Sequence, residues 1–315
     1  MILSTNYFIA FLGLIQILLI TLVTSAGAIR LVEVKPLFEI TDKLNQPSDV
    51  AVSKDGRIYV VNGVNNQIRM YNQNGKFLSA FGTGGSAHGE FSNPLGIDID
   101  KSGNVFVADS GNHRVQKFDS KSRFVAELSI PSKNNHPADP TDVVVDDSRK
   151  QCYVVDNDNH YILVFDLETL KLTKTYGGPG TDKGAFRYPF LMTLDKQGKL
   201  YIVDVINTRV QVLDPDGKLV TVIGSWGVDK GEFFRPKGVA IDKKGRVYVS
   251  DSYMGVIQVF DASGTFYAAL GDPQNGKVKK FKTPAGLFVD HRYRLYVVEM
   301  LANKVSVYQI LHATE

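Results

Sequence analysis

The chain has 315 residues, with 36 Lys and Arg against 33 Asp and Glu, and its formal net charge of +3 excludes a nucleic-acid binder driven by bulk charge. Hydrophobic residues are 43% and charged residues 22%, which excludes wholesale disorder. A single cysteine, Cys152, excludes an intramolecular disulfide framework and a Cys-based zinc cluster; its strand context predicts a buried, inert thiol.

Residues 1–29 carry no charged side chain, and residues 8–23 are almost wholly apolar, interrupted by Gln16. Ala26-Gly27-Ala28 follows and matches the A-x-A pattern of a signal-peptidase site. The expectation is a signal peptide cleaved after about Ala28, or an uncleaved anchor, because the apolar run approaches the roughly 20 residues a bilayer needs. No Lys or Arg precedes the run and Arg30 and Lys35 follow it, which opposes export under the positive-inside rule; the A-x-A site outweighs this small bias. The chain thus divides into residues 1–28, signal or anchor, and residues 29–315, one exported domain. That domain is periplasmic, extracellular or membrane-anchored facing away from the cytoplasm.

Residues 32–40 read as a lone strand, and a repeat governs everything after them. Prolines recur at Pro47, Pro94, Pro140, Pro189, Pro236 and Pro284. An acid or amide recurs at Asn62, Asp109, Asp156, Asp204, Asp251 and Glu299, and an aromatic at Tyr59, Phe106, Tyr153, Tyr201, Tyr248 and Tyr296. Three residue classes share one period in the 20–50 range, the mark of a solenoid, propeller or array. In the fifth unit Pro236-Lys237-Gly238-Val239-Ala240-Ile241 alternates as a strand, Lys243-Lys244-Gly245 turns, and three more short strands follow, with a second turn at Ser263-Gly264. Four short strands per unit, with no amphipathic helix, predict an all-β, six-bladed β-propeller. The sixth unit shows three strands, so residues 32–40 are expected to supply its fourth, closing the ring and covering the last sheet edge.

Asp109-Ser110-Gly111-Asn112-His113-Arg114-Val115-Gln116 and Asp204-Val205-Ile206-Asn207-Thr208-Arg209-Val210-Gln211 resemble the core of an NHL repeat. The Gly-rich joining segments 81–91 and 223–233 resemble its connector. The resemblance covers nearly all of residues 30–310 and implies a six-bladed NHL-type propeller. Such domains serve as binding platforms, as sensor regions and, in relatives, as enzymes. The NHL-containing ubiquitin ligases carry a RING; nothing here matches one. In the peptidyl-hydroxyglycine lyases, histidines directly after the repeat proline hold zinc; here those positions are Ser48, Leu95, Thr141, Phe190, Lys237 and Ala285. Zinc catalysis needs three protein ligands, so the lyase activity is disfavoured. Lactonase-like propellers hold calcium with Glu, Asn and Asp, which the acids at the mouth leave open. No G-x-S-x-G motif appears.

Features present in every blade are assigned to the scaffold: the acids cap their own loops, Asp109 and Asp204 pair with Arg114 and Arg209, and the aromatics fill the core. Gly82-Thr83-Gly84-Gly85 is read as a connector, since no helix follows to complete a phosphate loop. Asp156-Asn157-Asp158-Asn159-His160 offers too few oxygens for calcium, and His113 and His160 are read as loop-packing residues. Departures from the repeat point to function. Where three blades keep Gly96, Gly238 and Gly286, two carry Asp49 and Asp142. With Thr141, Phe190 and Lys237 these are expected to line the channel mouth and bind a cationic peptide or small ligand. Trp226, in a connector, and Lys277, Lys279, Lys280 and Lys282, the densest basic spot, are surface-contact candidates, the lysines for an anionic membrane or acidic partner. The expectation is an exported, non-enzymatic propeller that binds a protein or peptide partner, with no cofactor, no catalytic residue, no resident metal and no nucleic acid, and with membrane attachment through residues 8–28 open. The alternative is a calcium- or zinc-dependent hydrolase or lyase acting in the channel.

Overall fold

The computed structural model describes residues 29–133 and 135–311; the signal or anchor assigned to residues 1–28 lies outside them. Six four-stranded antiparallel sheets follow one another in chain order. Blade 1 comprises Pro47–Val52, Ile58–Asn62, Gln67–Tyr71 and Phe77–Phe81. Blades 2 to 6 begin at Pro94–Ile99, Pro140–Asp146, Pro189–Leu194, Pro236–Ile241 and Pro284–Val289. Each first strand lies innermost, and inner-strand residues of all six blades line one axial cavity.

The last blade closes as its missing strand predicts. Val34–Ile40 pairs antiparallel with Lys304–Ile310, from Val34 opposite Ile310 to Ile40 opposite Val305. A second pairing is new: Leu31–Val32 adds in parallel to the outer strand of blade 5, Phe266–Leu270. One segment therefore covers edges of two neighbouring sheets, removing the open backbone that invites association.

The core is not central. Among the described residues it divides into six clusters, each shared by two adjacent blades. Tyr59, Val61 and Ile68 of blade 1, for example, pack on Phe91, Val107 and Phe118 at blade 2. Blade faces are apolar on both sides, so their second and third strands read as buried runs. The Gly-rich connectors plug the wedges: Gly82 adopts φ +87°, and the Phe91 ring occupies the space its Cβ would need.

The ring acids do more than cap their own loops. Each accepts a backbone N–H from the connector seventeen residues earlier: Asn45 to Asn62, Ser92 to Asp109, Asp139 to Asp156, Arg187 to Asp204, Phe234 to Asp251 and Lys282 to Glu299. The expected ion pairs form, with Nε–Oδ2 distances of 2.9 Å for Arg114–Asp109 and 2.8 Å for Arg209–Asp204. Connector, loop and sheet are thereby fixed together at the end of the propeller where the inner strands start.

Candidate binding site at the channel mouth

Two separate spaces lie along the axis. The inner one is a cavity of about 60 Å³ containing Asp49, Asp98 and Asp142, room for only a few waters. Asp49 and Asp142 are buried and Asp98 half-buried, and each carboxyl accepts a backbone N–H from the next blade's inner strand: Ile97 N to Asp49 Oδ2 (3.1 Å), Val145 N to Asp98 Oδ2 (2.8 Å), and Met192 N to Asp142 Oδ2 (2.7 Å). Val143 N donates to Asp142 Oδ1 at 2.8 Å. Burial pushes Asp98 up to about 7, against the pull of the Val145 and Ile99 amides. Asp49 and Asp142 are raised as well, chiefly by burial, and Asp142 further by the neighbouring Asp49 carboxyl. Asp49 and Asp142 do come together, but inside the axis, where they staple blade to blade.

The outer space is a cavity of about 300 Å³ at the end where the inner strands begin. Thr141, Phe190 and Lys237 meet here as expected, with Tyr188, Ile206 and Arg235. Thr141 Oγ1 donates to the Phe190 carbonyl at 2.8 Å, as Ser48 Oγ does to Leu95 at 2.6 Å one blade pair away. The Lys237 ammonium lies 3.8 Å from the Phe190 ring centroid. Neither Lys237 nor Arg235 makes a side-chain hydrogen bond or ion pair with another described residue. Burial, then the Arg235 charge, pulls the Lys237 pKa down. Asp139 also lines the space, but its carboxyl accepts from Ser110 and burial raises its pKa. The mouth is therefore cationic and aromatic, whereas the carboxylates expected there are withdrawn into the axis.

The remaining candidates separate clearly. Trp226 is 72% exposed. Lys277, Lys280 and Lys282 are exposed, Lys280 donating to the Met254 carbonyl at 2.9 Å, while Lys279 lies over the Tyr308 ring at 5.4 Å. His113 and His160 both adopt left-handed backbone and bond to the next connector, through the Ala138 carbonyl and the Tyr188 amide. The Asp156 carboxylate is taken by Asp139 N and Asn159. Among the described residues no three His, Cys, Asp or Glu side chains are placed to hold a metal ion. Cys152 is buried and burial pushes its thiol up, so it is a packing residue. Sequence reasoning passed over Asp98, although no other blade has a charge at that position: Ala51, Val144, Thr193, Ala240 and Phe288 stand there. Arg235 was also missed; it precedes the repeat proline, a position not compared.

The NHL repeat model matches residues 44–71, 91–118 and 233–260. No curated protein matches. Among solved structures, a catalytically inactive virginiamycin B lyase from Staphylococcus aureus with quinupristin is similar at 14% identity and TM-score 0.61, covering 86% of this chain and 83% of the lyase. A gluconolactonase from Xanthomonas campestris aligns at 13% identity and TM-score 0.66, over 88% and 89% of the two chains. Kuenenia stuttgartiensis hydrazine synthase gives 13% and 0.60, over 88% and 98%. At such identities the likeness is one of fold. The chain is a six-bladed β-propeller that carries matches to the NHL repeat in blades 1, 2 and 5.

Proposed function

We propose that the chain is an exported, non-enzymatic propeller that binds an organic anion with an apolar body, free or displayed on a peptide, at the channel mouth. The observation that carries this is the pair Lys237, half-buried, and Arg235, exposed, neither paired with an anion among the described residues, beside the Phe190 and Tyr188 rings in one cavity. A half-buried ammonium without a counter-ion is an unfavourable arrangement that a bound carboxylate relieves. The charge of the mouth replaces the cationic ligand suggested by the sequence with an anionic one. Calorimetric titration with 3-phenylpropionate and 3-phenylpropylamine tests it. The acid is expected to bind and the amine not, and Lys237→Met is expected to weaken the acid at least about tenfold, the worth of one charge-assisted bond. Equal behaviour of the two probes would sink the reading.

The enzymatic alternative draws on the fold shared with the lyase and the gluconolactonase and on the three axial carboxyls. It requires about one calcium or zinc per chain after dialysis without chelator, a quantity mass spectrometry measures directly.

A further inference from the structure

The loop tips between second and third strands, two residues after each ring acid, are Val64, Gly111, Asp158, Ile206, Tyr253 and Leu301. Blades 4, 5, 6 and 1 thus carry a large apolar tip, all four exposed, whereas blades 2 and 3 carry Gly and Asp. The arc is densest at blade 5. There Tyr253 is 66% exposed, and Trp226 and Val228 of the preceding connector are 72% and 65% exposed. Val228 and Met254 line a groove of about 450 Å³ with Ile29 and Lys280. Exposed apolar side chains gathered on one blade in this way mark an interaction surface.

Charge decides what lies against it. The connector that borders blade 5 brings exposed Lys277, Lys280 and Lys282, and Arg30 sits over Tyr267 at 4.0 Å. The acids nearby are Asp229, on the groove; Glu232, whose carboxyl lies against Gly227 and accepts from Asp229 N at 3.0 Å; and Asp272, which accepts from Gln274 N and Asn275 within its own turn. Trp, Tyr and aliphatic tips rimmed by lysines match the interfacial layer of an anionic bilayer, where amphipathic rings sit at headgroup level and basic side chains are drawn to the lipid phosphates. The chain's own course agrees. Ile29 lies on this groove, and the uncharged apolar run of residues 8–23 ends six residues before it, a span of at most about 20 Å. Retained, that run tethers this surface to a bilayer; cleaved after Ala28, it leaves an α-ammonium on Ile29 that joins the basic rim.

The geometry points to a membrane-docking face, in which Trp226, Val228 and Tyr253 enter an anionic bilayer interface while Lys277, Lys280 and Lys282 pair with lipid phosphates. This goes beyond ligand binding at the mouth, involves neither Lys237 nor Arg235, and stands or falls separately. Trp226 is the sole tryptophan, so its fluorescence reports on this surface. The full chain is reconstituted into vesicles of phosphatidylcholine alone and of phosphatidylcholine with phosphatidylglycerol. With the anionic lipid, Trp226 emission is expected to shift to the blue, its quenching by acrylamide to fall several-fold, and headgroup-proximal brominated lipid to quench it. The double variant Lys277→Glu/Lys280→Glu should return all three readouts to their phosphatidylcholine values, with unchanged melting showing that it folds. Equal acrylamide access in both vesicle types overturns the proposal. So does shielding that survives the charge reversal, or shielding without vesicles, which would mark a protein contact instead.

Discussion

The Asp142 carboxyl fills the space that a Cβ on Gly96 would need, and Asp49 stands in the same relation to Gly286. Gly96 and Gly286 thus leave room for the acid on the strand after each, whereas a Cβ on Gly238 would meet the Ala285 carbonyl. Gly96→Ala is expected to destabilise the propeller by about 1–3 kcal/mol, the usual range for overpacking. Truncating the acid should not cure it. Asp142 Cα and the Thr141 carbonyl would also lie 2.6 and 2.7 Å from the new methyl. Denaturant melts of Gly96→Ala and of Gly96→Ala/Asp142→Ala decide the matter, and a full rescue would be evidence against backbone crowding.

Stability should fall as pH rises through the mildly acidic and neutral range. Asp98 is raised from 3.8 to about 7 in the fold, and Asp49 and Asp142 are raised too, all chiefly by burial. Between about pH 4 and pH 7 the folded chain holds protons that the unfolded chain releases. Each such group then removes up to about 1.4 kcal/mol per pH unit as pH increases. The contribution is complete below pH 4 and gone above the folded pKa. Asp98→Asn keeps an acceptor for the Val145 or Ile99 amide while removing one titration. Melting temperatures from pH 5 to pH 8 should therefore decline less steeply in that variant than in the wild type; identical slopes would show that Asp98 stays ionised throughout.

The ring acids differ in what they hold. Asp109 accepts from Ser92 N, Asn112 Nδ2, Arg114 Nε and Gln116 Nε2 at 2.7–3.1 Å, and Arg114 is itself buried. Asp251 is bonded by the backbone amides of Phe234, Arg235, Tyr253 and Met254, with Val256 where Arg114 stands in blade 2. Asp109→Asn leaves the buried Arg114 guanidinium with only the half-buried Glu127 carboxylate as a counter-charge and should cost about 3 kcal/mol. Asp251→Asn loses one acceptor and should cost about 1–2 kcal/mol. Equal losses in urea unfolding would mean that Arg114 finds its charge balance elsewhere, in Glu127 Oε2 at 3.1 Å.

Removing residues 30–41 takes away the outer strand of blade 6 and the parallel addition to blade 5 together. It also strips Val32, Val34 and Ile40 from two core clusters. The truncated chain is expected not to fold, as read by the loss of its thermal transition in circular dichroism. A chain that melts unchanged would show that the ring closes without this segment.

The blades were readable because three residue classes keep one period, and the closing strand because residues 32–40 stand alone before the first repeat. The parallel pairing of Leu31–Val32 was not readable, since two residues carry no periodicity. The placement of Asp49 and Asp142 failed for a geometric reason. In all six blades the register of the inner strand shifts just after the proline, in blades 1 and 3 between Pro47 and Val50 and between Pro140 and Asp142. Such a bulge breaks the alternation from which facing is inferred, so side chains assigned to the rim turn into the axis. Thr141, Phe190 and Lys237, one residue after the proline, were correctly grouped. Arg235 and the apolar loop tips lie at positions whose variation from blade to blade was not compared.

The pairing of Val34–Ile40 with Lys304–Ile310 joins residues as far apart as Val34 and Ile310, and the Lys304 ammonium donates to Glu39 Oε1 265 positions away in the chain. The strand that precedes the first blade therefore finds its partner only when all six blades have been made. Throughout that interval Val34 and Ile40 have no core to enter, and the outer edges of the forming sheets stay open. Nascent chains in that state are prone to mispairing between copies. For this propeller the hazardous stage is the wait before closure, and a helper that shields an unpaired amino-terminal strand would act during that wait.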